Sequence, residues 1–88
     1  MKSINIKIYG RVQGVSFRSH AKKYAEIFQI KGYIKNMPDG SVEVAAEGED
    51  RKLDNFIEFM RNGPSFAKID NMQITEQKSQ KFKIFEVY

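Results

Sequence analysis

Alternating hydrophobic and polar positions open the chain and predict a β-strand. Ile4, Ile6 and Ile8 are each separated by one polar or amphipathic residue, which is the period-2 pattern of a strand with one buried face. From Ser16 to Phe28 the apolar residues recur at helical spacing instead, which predicts an amphipathic helix packed against a sheet. These apolar positions are Phe17, Ala21, Tyr24, Ala25 and Phe28.

A β-hairpin is predicted next. Ile30 to Met37 has the composition of a second strand, and Ser41 to Glu47 that of the strand that returns beside it. Between them, Pro38-Asp39-Gly40 joins a residue with a preset φ to a glycine that tolerates positive φ, which is typical of a turn.

The second half of the chain predicts another helix. Its apolar stripe consists of Leu53, Phe56, Ile57 and Met60. Acidic residues in Gly48-Glu49-Asp50 favour the start of this helix, and Asn62-Gly63-Pro64 is typical of a helix end.

Two further strands complete the predicted order. Ala67 to Thr75 indicates a fourth strand with a bulge or an irregular start, because Ile69 and Met72 are out of phase with each other. Phe82 to Val87 indicates a short fifth strand.

The order β-α-β-β-α-β predicts an α+β fold of the ferredoxin-like type, an antiparallel sheet with two helices on one face. Right-handed connections place the first two strands in the same direction with the third between them. We therefore expect the loop after the first strand, residues 10–18, to face the hairpin turn at residues 36–40.

Length and composition bound the function classes. The 88 residues predict a single domain over residues 1–88. Without cysteine and with His20 as the single histidine, we expect no metal site and a reducing, cytoplasmic location. No apolar stretch approaches the ~20 residues of a membrane span, so we expect no membrane association.

Positive charge is concentrated in the first half of the chain. Residues 1–40 hold eight basic and two acidic side chains, whereas residues 41–88 hold seven basic and nine acidic ones. The first half is therefore suited to anionic ligands, although a charge excess of this size is also ordinary solubilising surface.

The segment GRVQGVSFR at residues 10–18 combines two glycines with an arginine at the predicted start of a helix. Glycines let backbone amides approach a ligand, and the unpaired N–H groups of a helix N-terminus favour anions. Arg18 adds a planar fork of donors that suits phosphate. The spacing fits neither the Walker loop nor GxGxxG, and a tight turn beside a solvated arginine stays open as the alternative.

Two segments resemble the signatures of the acylphosphatase family, and the resemblance extends over most of the chain. Residues 10–18 match every fixed position of G-x-V-Q-G-V-x-F-R. Residues 32–43 match G-x-V-x-N-x-x-D-G-x-V-E, with Ile34 in place of a valine. One departure is visible at the end of the first helix, where Gln29 stands in place of the family's usual glycine.

The resemblance implies hydrolysis of the carboxyl-phosphate bond of acyl phosphates, giving a carboxylate and inorganic phosphate. It implies that Arg18 binds the phosphate and that Asn36 positions the attacking water. We expect no cofactor, inorganic phosphate as a competitive inhibitor, and a monomer. The implied phosphate cradle consists of Arg18 and the backbone amides of Gln13, Gly14, Val15, Ser16 and Phe17.

This set of groups is chemically sufficient. Phosphoryl transfer depends mainly on positioning and charge stabilisation, and a departing carboxylate is a weak base that needs no strong general acid. From the residues alone, Asn36 is also typical of a side chain that bonds turn backbone. Ser16 is expected to cap the helix rather than to form a catalytic dyad with His20. Because the motif residues all address the phosphoryl end, we expect little dedicated recognition of the acyl part.

Two other interpretations stay open. Basic ferredoxin-like domains also bind RNA on sheet aromatics, and Lys31-Gly32-Tyr33 begins like an RNP1 motif before diverging from it. The second is a phosphate-sensing or carbamoyl-phosphate-binding module without turnover, of the kind fused into larger maturation proteins. We expect no nucleic-acid partner.

Overall fold

The elements of the computed structural model, which describes residues 1–14 and 16–88, follow the predicted order. They are β1 (Lys2–Arg11), α1 (Phe17–Ile27), β2 (Lys31–Asn36), β3 (Val42–Gly48), α2 (Asp50–Asn62), β4 (Lys68–Glu76) and β5 (Phe85–Val87). Across this part of the chain neither helix has the length and apolar character that a membrane crossing requires.

The five strands form one sheet in the order β4-β1-β3-β2-β5. β1 and β2 both run antiparallel to β3, which lies between them, so the C-terminal ends of β1 and β2 lie at the same end of the sheet, as predicted. The prediction of an antiparallel sheet holds for four strands. β5 pairs with β2 in parallel, with Gly32 opposite Phe85, and the sheet is therefore mixed.

Both helices pack on one face of this sheet. The buried hydrophobic positions of β1 are Ile4, Ile6 and Ile8, so the alternation in the sequence matches the observed burial. The same hydrophobic cluster includes the apolar stripes of both helices. Its helical members are Phe17, Ala21, Ala25, Leu53, Phe56 and Met60.

The predicted bulge in β4 is present, and it explains one of the two loop glycines. Tyr9 pairs with Asn71 but Gly10 pairs with Ile69, which leaves Asp70 as the extra residue. Gly10 has φ +131°, and a Cβ there would lie 2.1 Å from the main-chain oxygen of Lys68. Gly10 is therefore required by the packing of β1 against the bulge rather than by exposure of an amide to a ligand.

The end of α1 shows the consequence of the missing glycine. Gln29 takes the left-handed conformation with φ 58°. The N–H of Gln29 donates to Glu26 O (3.3 Å) and the N–H of Ile30 to Ala25 O (2.7 Å), which is the Schellman pattern of a helix end. The motif forms with glutamine at the position that favours glycine.

β5 is shorter than predicted because a buried carboxylate binds the segment before it. The N–H of Phe82 donates to Glu47 Oε1 (3.3 Å) and the N–H of Gln80 to Glu47 Oε2 (2.5 Å). Regular pairing with β2 begins only near Ile84, whose carbonyl accepts from the Gly32 N–H (2.9 Å).

Candidate active site

The β1–α1 loop and the β2–β3 hairpin are in direct contact through a glutamine side chain. Gln13 Nε2 donates to the main-chain oxygens of Met37 (2.9 Å) and Ser41 (2.8 Å). The side chain thus ties the two segments that carry the sequence signatures, whereas the sequence analysis had considered only the backbone amide of Gln13. A glutamine between two loop glycines has a side chain long enough to donate to a neighbouring segment, and this is the sequence feature that could have predicted the bridge.

A cavity of about 390 Å³ opens beside this bridge, between the β1–α1 loop, the first turns of α1, the end of β2 and β5. Arg18 and Asn36, which are distant in sequence, line the same cavity. Its walls are Val12, Gly14, Ser16, Phe17, Arg18, Ser19, Lys22, Asn36 and Val87. Gln13 is not among the lining residues, and Val15 lies outside the described residues.

Two described residues of the β1–α1 loop have a left-handed backbone conformation. Gly14 has φ 73° and Ser16 φ 64°, and left-handed residues in such turns direct neighbouring N–H groups toward one concavity. Ser16 occupies the N-cap position of α1, but its side chain makes no capping hydrogen bond. Its main-chain oxygen instead accepts from the Ser19 hydroxyl (3.1 Å) and from the His20 N–H (3.0 Å). Gly14, Ser16 and the first residues of α1 thus line the cavity.

Arg18 is the second residue of α1, and its side chain is exposed. Its Nη1 donates to the main-chain oxygen of Tyr88 (2.5 Å). A guanidinium carries five N–H donors, so this contact, made through Nη1, leaves further donors for an anion in the cavity. The contact also links Arg18 to the residue that follows β5.

Asn36 ends β2 beside the hairpin, and another residue makes the local bonds of the turn. Asp39 Oδ1 accepts from the Ser41 hydroxyl (2.5 Å) and from the Ser41 N–H (2.9 Å). These two bonds lower the pKa of the Asp39 carboxyl, and the bond from the hydroxyl has the larger effect. Asp39 thus makes these side-chain bonds of the turn, and Asn36 lines the cavity.

His20 is engaged away from Ser16. Its Nε2 lies 3.0 Å from the main-chain oxygen of Phe59 in α2, and its ring packs 4.8 Å from that of Tyr24, measured between centroids. These contacts give the His20 side chain a place in the packing of the two helices.

Lys22 is a cavity residue that the sequence analysis did not single out. It lies four residues after Arg18 and therefore on the same face of α1. Its Nζ donates to the main-chain oxygen of Phe85 (2.6 Å) and lies 3.5 Å from the Glu26 carboxylate. Its position four residues after Arg18 was the sequence feature that could have identified Lys22 as a cavity residue. Residues 1–14 and 16–88 contain no group of three or more potential metal-ligating side chains.

The family model for acylphosphatase matches residues 4–87. The chain belongs to the acylphosphatase family. The acylphosphatase of Methanocella arvoryzae is 39% identical over 87 residues, which cover 99% of each chain. The crystal structure of the acylphosphatase from Bacillus subtilis superimposes with a TM-score of 0.96 at 36% identity, covering 100% of this chain and 99% of that one.

The acylphosphatase fold also occurs inside a larger protein. A crystal structure of full-length HypF in the phosphate- and nucleotide-bound form matches 99% of this chain with a TM-score of 0.94 at 30% identity. The match covers 12% of that chain. As a member of the acylphosphatase family, the present chain is a hydrolase that acts on acyl phosphates.

Proposed function

We propose that the cavity between the β1–α1 loop and Asn36 is the site at which acyl phosphates are hydrolysed. The observation that carries this proposal is that Arg18, Asn36 and the left-handed loop residues Gly14 and Ser16 line one cavity. Water attacks phosphorus and forms the new P–O bond. The bond between phosphorus and the acyl oxygen breaks, and the carboxylate leaves with the electron pair.

The phosphoryl oxygens are held by backbone amides and by Arg18. The amides of residues 13–17 and the N-terminus of α1 supply N–H donors and a partial positive charge. Arg18 supplies a permanent charge and a planar pair of donors that matches two phosphate oxygens. The Tyr88 oxygen that now accepts from Arg18 Nη1 yields its place to the ligand or remains as a third point of alignment.

Asn36 orients the attacking water. Its carboxamide accepts a hydrogen bond from water and donates one to a phosphoryl oxygen, which favours in-line approach. Because an amide is not a strong base, the proton of the water passes to a phosphate oxygen or to solvent. The site works without a cofactor, and inorganic phosphate, which retains the recognised end of the substrate, is a competitive inhibitor. We further propose a cytoplasmic monomer in which residues 1–88 are one domain.

Hydrolysis of benzoyl phosphate by the purified protein tests this proposal. Each of Arg18→Ala and Asn36→Ala is expected to lower kcat/KM by about 10²- to 10³-fold, the usual effect of removing one preorganised donor. Arg18→Ala should also weaken inhibition by phosphate. Arg51→Ala and Asn55→Ala, which change the same residue types at exposed positions of α2, are the matched controls. Full activity in Arg18→Ala or Asn36→Ala refutes the assignment.

A phosphate-binding module without turnover is the second candidate. It is favoured by the match to a segment of HypF in a phosphate-bound form. Isothermal titration with phosphate separates the two candidates: binding that requires Arg18, combined with no hydrolysis of benzoyl or carbamoyl phosphate, supports the module and refutes the enzyme.

RNA binding has weaker physical support. The hydroxyl of Tyr33, the aromatic residue of the partial RNP1 match, donates to Glu43 Oε1 (2.9 Å). Burial, and to a smaller extent this bond, raises the pKa of Tyr33 to about 12. The Tyr33 ring meets those of Phe82 and Tyr88 edge to face, so neighbouring side chains occupy part of the surface on which a base would stack.

A further inference from the structure

A groove between α1 and β5 extends the candidate active site along the helix. A second cavity, of about 400 Å³, lies beside the first, between the later turns of α1 and β5. Lys22 lines both cavities. β5 contributes Val87 to the first cavity and Phe85 to the second. We name the two cavities together the α1–β5 groove.

The second cavity has an apolar floor and a charged rim. Ala25, Ile30 and Phe85 line it and are buried. Two ammonium groups and one carboxylate lie on its rim, so its charge is net positive. The rim residues are Lys22, Glu26, Gln29 and Lys31. An occupant that matches these walls has a short apolar body and ends in an anionic group.

Lys22 stands at the junction of the two cavities. It lies one helical turn beyond Arg18, a rise of about 6 Å along the axis. The bond from its Nζ to the Phe85 oxygen (2.6 Å) holds the ammonium between α1 and β5. An acyl phosphate whose phosphoryl group is bound at Arg18 can direct its acyl part along the groove and past Lys22.

We infer that the α1–β5 groove receives the acyl part of the substrate, and that Lys22 and Lys31 favour acyl phosphates whose acid carries a second carboxylate. This inference rests on the proposed function, since it takes the phosphoryl end to be bound at Arg18. It adds to that function a recognition of the acyl part for which the signature residues give no indication. The bonds made and broken are those of the hydrolysis described above.

A comparison of two rigid substrates tests the inference. Benzoyl phosphate and 4-carboxybenzoyl phosphate share the reacting group, and only the second carries a carboxylate at its far end. The readout is the ratio of their kcat/KM values, each normalised to the uncatalysed hydrolysis rate. The wild-type ratio is expected to exceed one and to fall as salt is added, because an exposed ion pair is screened.

Substitutions in the groove should move this ratio in opposite directions. Lys22→Gln is expected to lower it about two- to fivefold, the range that one exposed ion pair supplies, and Lys31→Gln to lower it by a smaller factor. Glu26→Gln is expected to raise it, because the competing carboxylate is removed. Lys23→Gln is the matched control, since the Lys23 ammonium lies 5.4 Å from the centre of the Tyr24 ring and does not line the groove.

The outcomes separate this inference from the function on which it rests. A general disturbance of the fold slows both substrates and leaves the ratio unchanged, so an unchanged ratio in Lys22→Gln overturns the inference while benzoyl phosphate hydrolysis upholds the enzyme. Equal changes in Lys22→Gln and Lys23→Gln also overturn it, because net charge alone then explains the effect. If the wild-type protein hydrolyses neither substrate, the proposed function and the inference both fail.

Discussion

Arg18 and Glu47 are two charged side chains that have opposite environments in the fold. Arg18 is exposed beside a cavity and donates through Nη1 to the main-chain oxygen of Tyr88. Glu47 is 2% exposed and accepts four hydrogen bonds, from the hydroxyls of Ser3 and Ser79 and the N–H groups of Gln80 and Phe82. The Glu47 carboxylate is therefore saturated by the protein, whereas Arg18 keeps further donors available, as the proposed binding of phosphate requires.

The two regions are connected through the chain that crosses the sheet. β4 and β5 lie at opposite edges, and the segment between them passes Glu47, which fixes it at Gln80 and Phe82. This segment leads into β5, whose Val87 lines the same cavity as Arg18. Glu47 therefore holds the segment that precedes β5, and loss of either charge should have a distinct effect.

The largest expected effect separates catalysis from stability. Arg18→Ala should remove about 2.7–4 kcal/mol of transition-state stabilisation. The free energy of unfolding should change by less than about 0.5 kcal/mol, as for most exposed positions. Benzoyl phosphate kinetics and urea unfolding of the same preparation measure both quantities. A loss of stability comparable to the loss of activity contradicts the view of Arg18 as a ligand-directed charge.

The converse is expected for Glu47→Gln. Glutamine has a similar shape to glutamate, but its amide is a poorer acceptor for the N–H groups and hydroxyls that bind the carboxylate. The substitution should therefore destabilise the fold by about 1–3 kcal/mol. Turnover per folded molecule should fall far less than in Arg18→Ala. Glu49→Gln, at an exposed position, is the control for charge. If Glu47→Gln and Glu49→Gln are equally stable, the contrast between Arg18 and a fold-stabilising Glu47 is contradicted.

Acid should weaken the Glu47 region selectively. Burial by itself raises the pKa of Glu47, but the hydrogen bonds from Gln80, Ser3, Phe82 and Ser79 together lower it below its ordinary value of 4.5. A depressed carboxyl pKa stabilises the folded state above pH 4.5, and this stabilisation disappears as the pH falls through the folded value.

Urea unfolding across this acidic range measures the effect. The wild-type free energy of unfolding should decline more steeply below about pH 4.5 than that of Glu47→Gln, which lacks the titrating group. Parallel curves for the two proteins would show that other carboxyls govern acid unfolding.

The smallest expected effect compares two strained backbones. Ser16 and Gln29 both have positive φ, but Ser16 lines the cavity and Gln29 ends a helix. Gln29→Gly should stabilise the protein by about 0.5–1 kcal/mol, because glycine has no Cβ to clash in this conformation.

Thermal unfolding tests this comparison. Gln29→Gly should raise the melting temperature, whereas Lys23→Gly, inside α1, should destabilise the protein by about 1 kcal/mol. Destabilisation in Gln29→Gly would mean that the contact of its side chain with Lys52 outweighs the backbone strain.

Much of the fold follows from local patterns in the sequence. Periodicity at Ile4, Ile6 and Ile8 predicted a buried face because alternation is a local property of a strand. The phase conflict between Ile69 and Met72 predicted the bulge for the same reason. The juxtaposition of the β1–α1 loop and the hairpin followed from topology, and the Gln13 bridge confirms it.

Other features depend on long-range contacts that no local pattern encodes. The parallel pairing of β5 with β2 depends on the segment fixed by Glu47, and a glutamate in an alternating strand gives no sign that it is buried. The role of Gly10 became clear only because a Cβ at this position would lie 2.1 Å from the main-chain oxygen of Lys68. The second cavity lies between elements that are distant in sequence, and so it was missed.

A crystal structure of the protein grown with inorganic phosphate tests the central claim most directly. The account predicts a phosphate in the first cavity, bound by the amides of residues 13–17 and by the Arg18 guanidinium, with a water between it and the Asn36 carboxamide. A phosphate bound elsewhere while this cavity holds only solvent, at a concentration that inhibits turnover, would contradict the account.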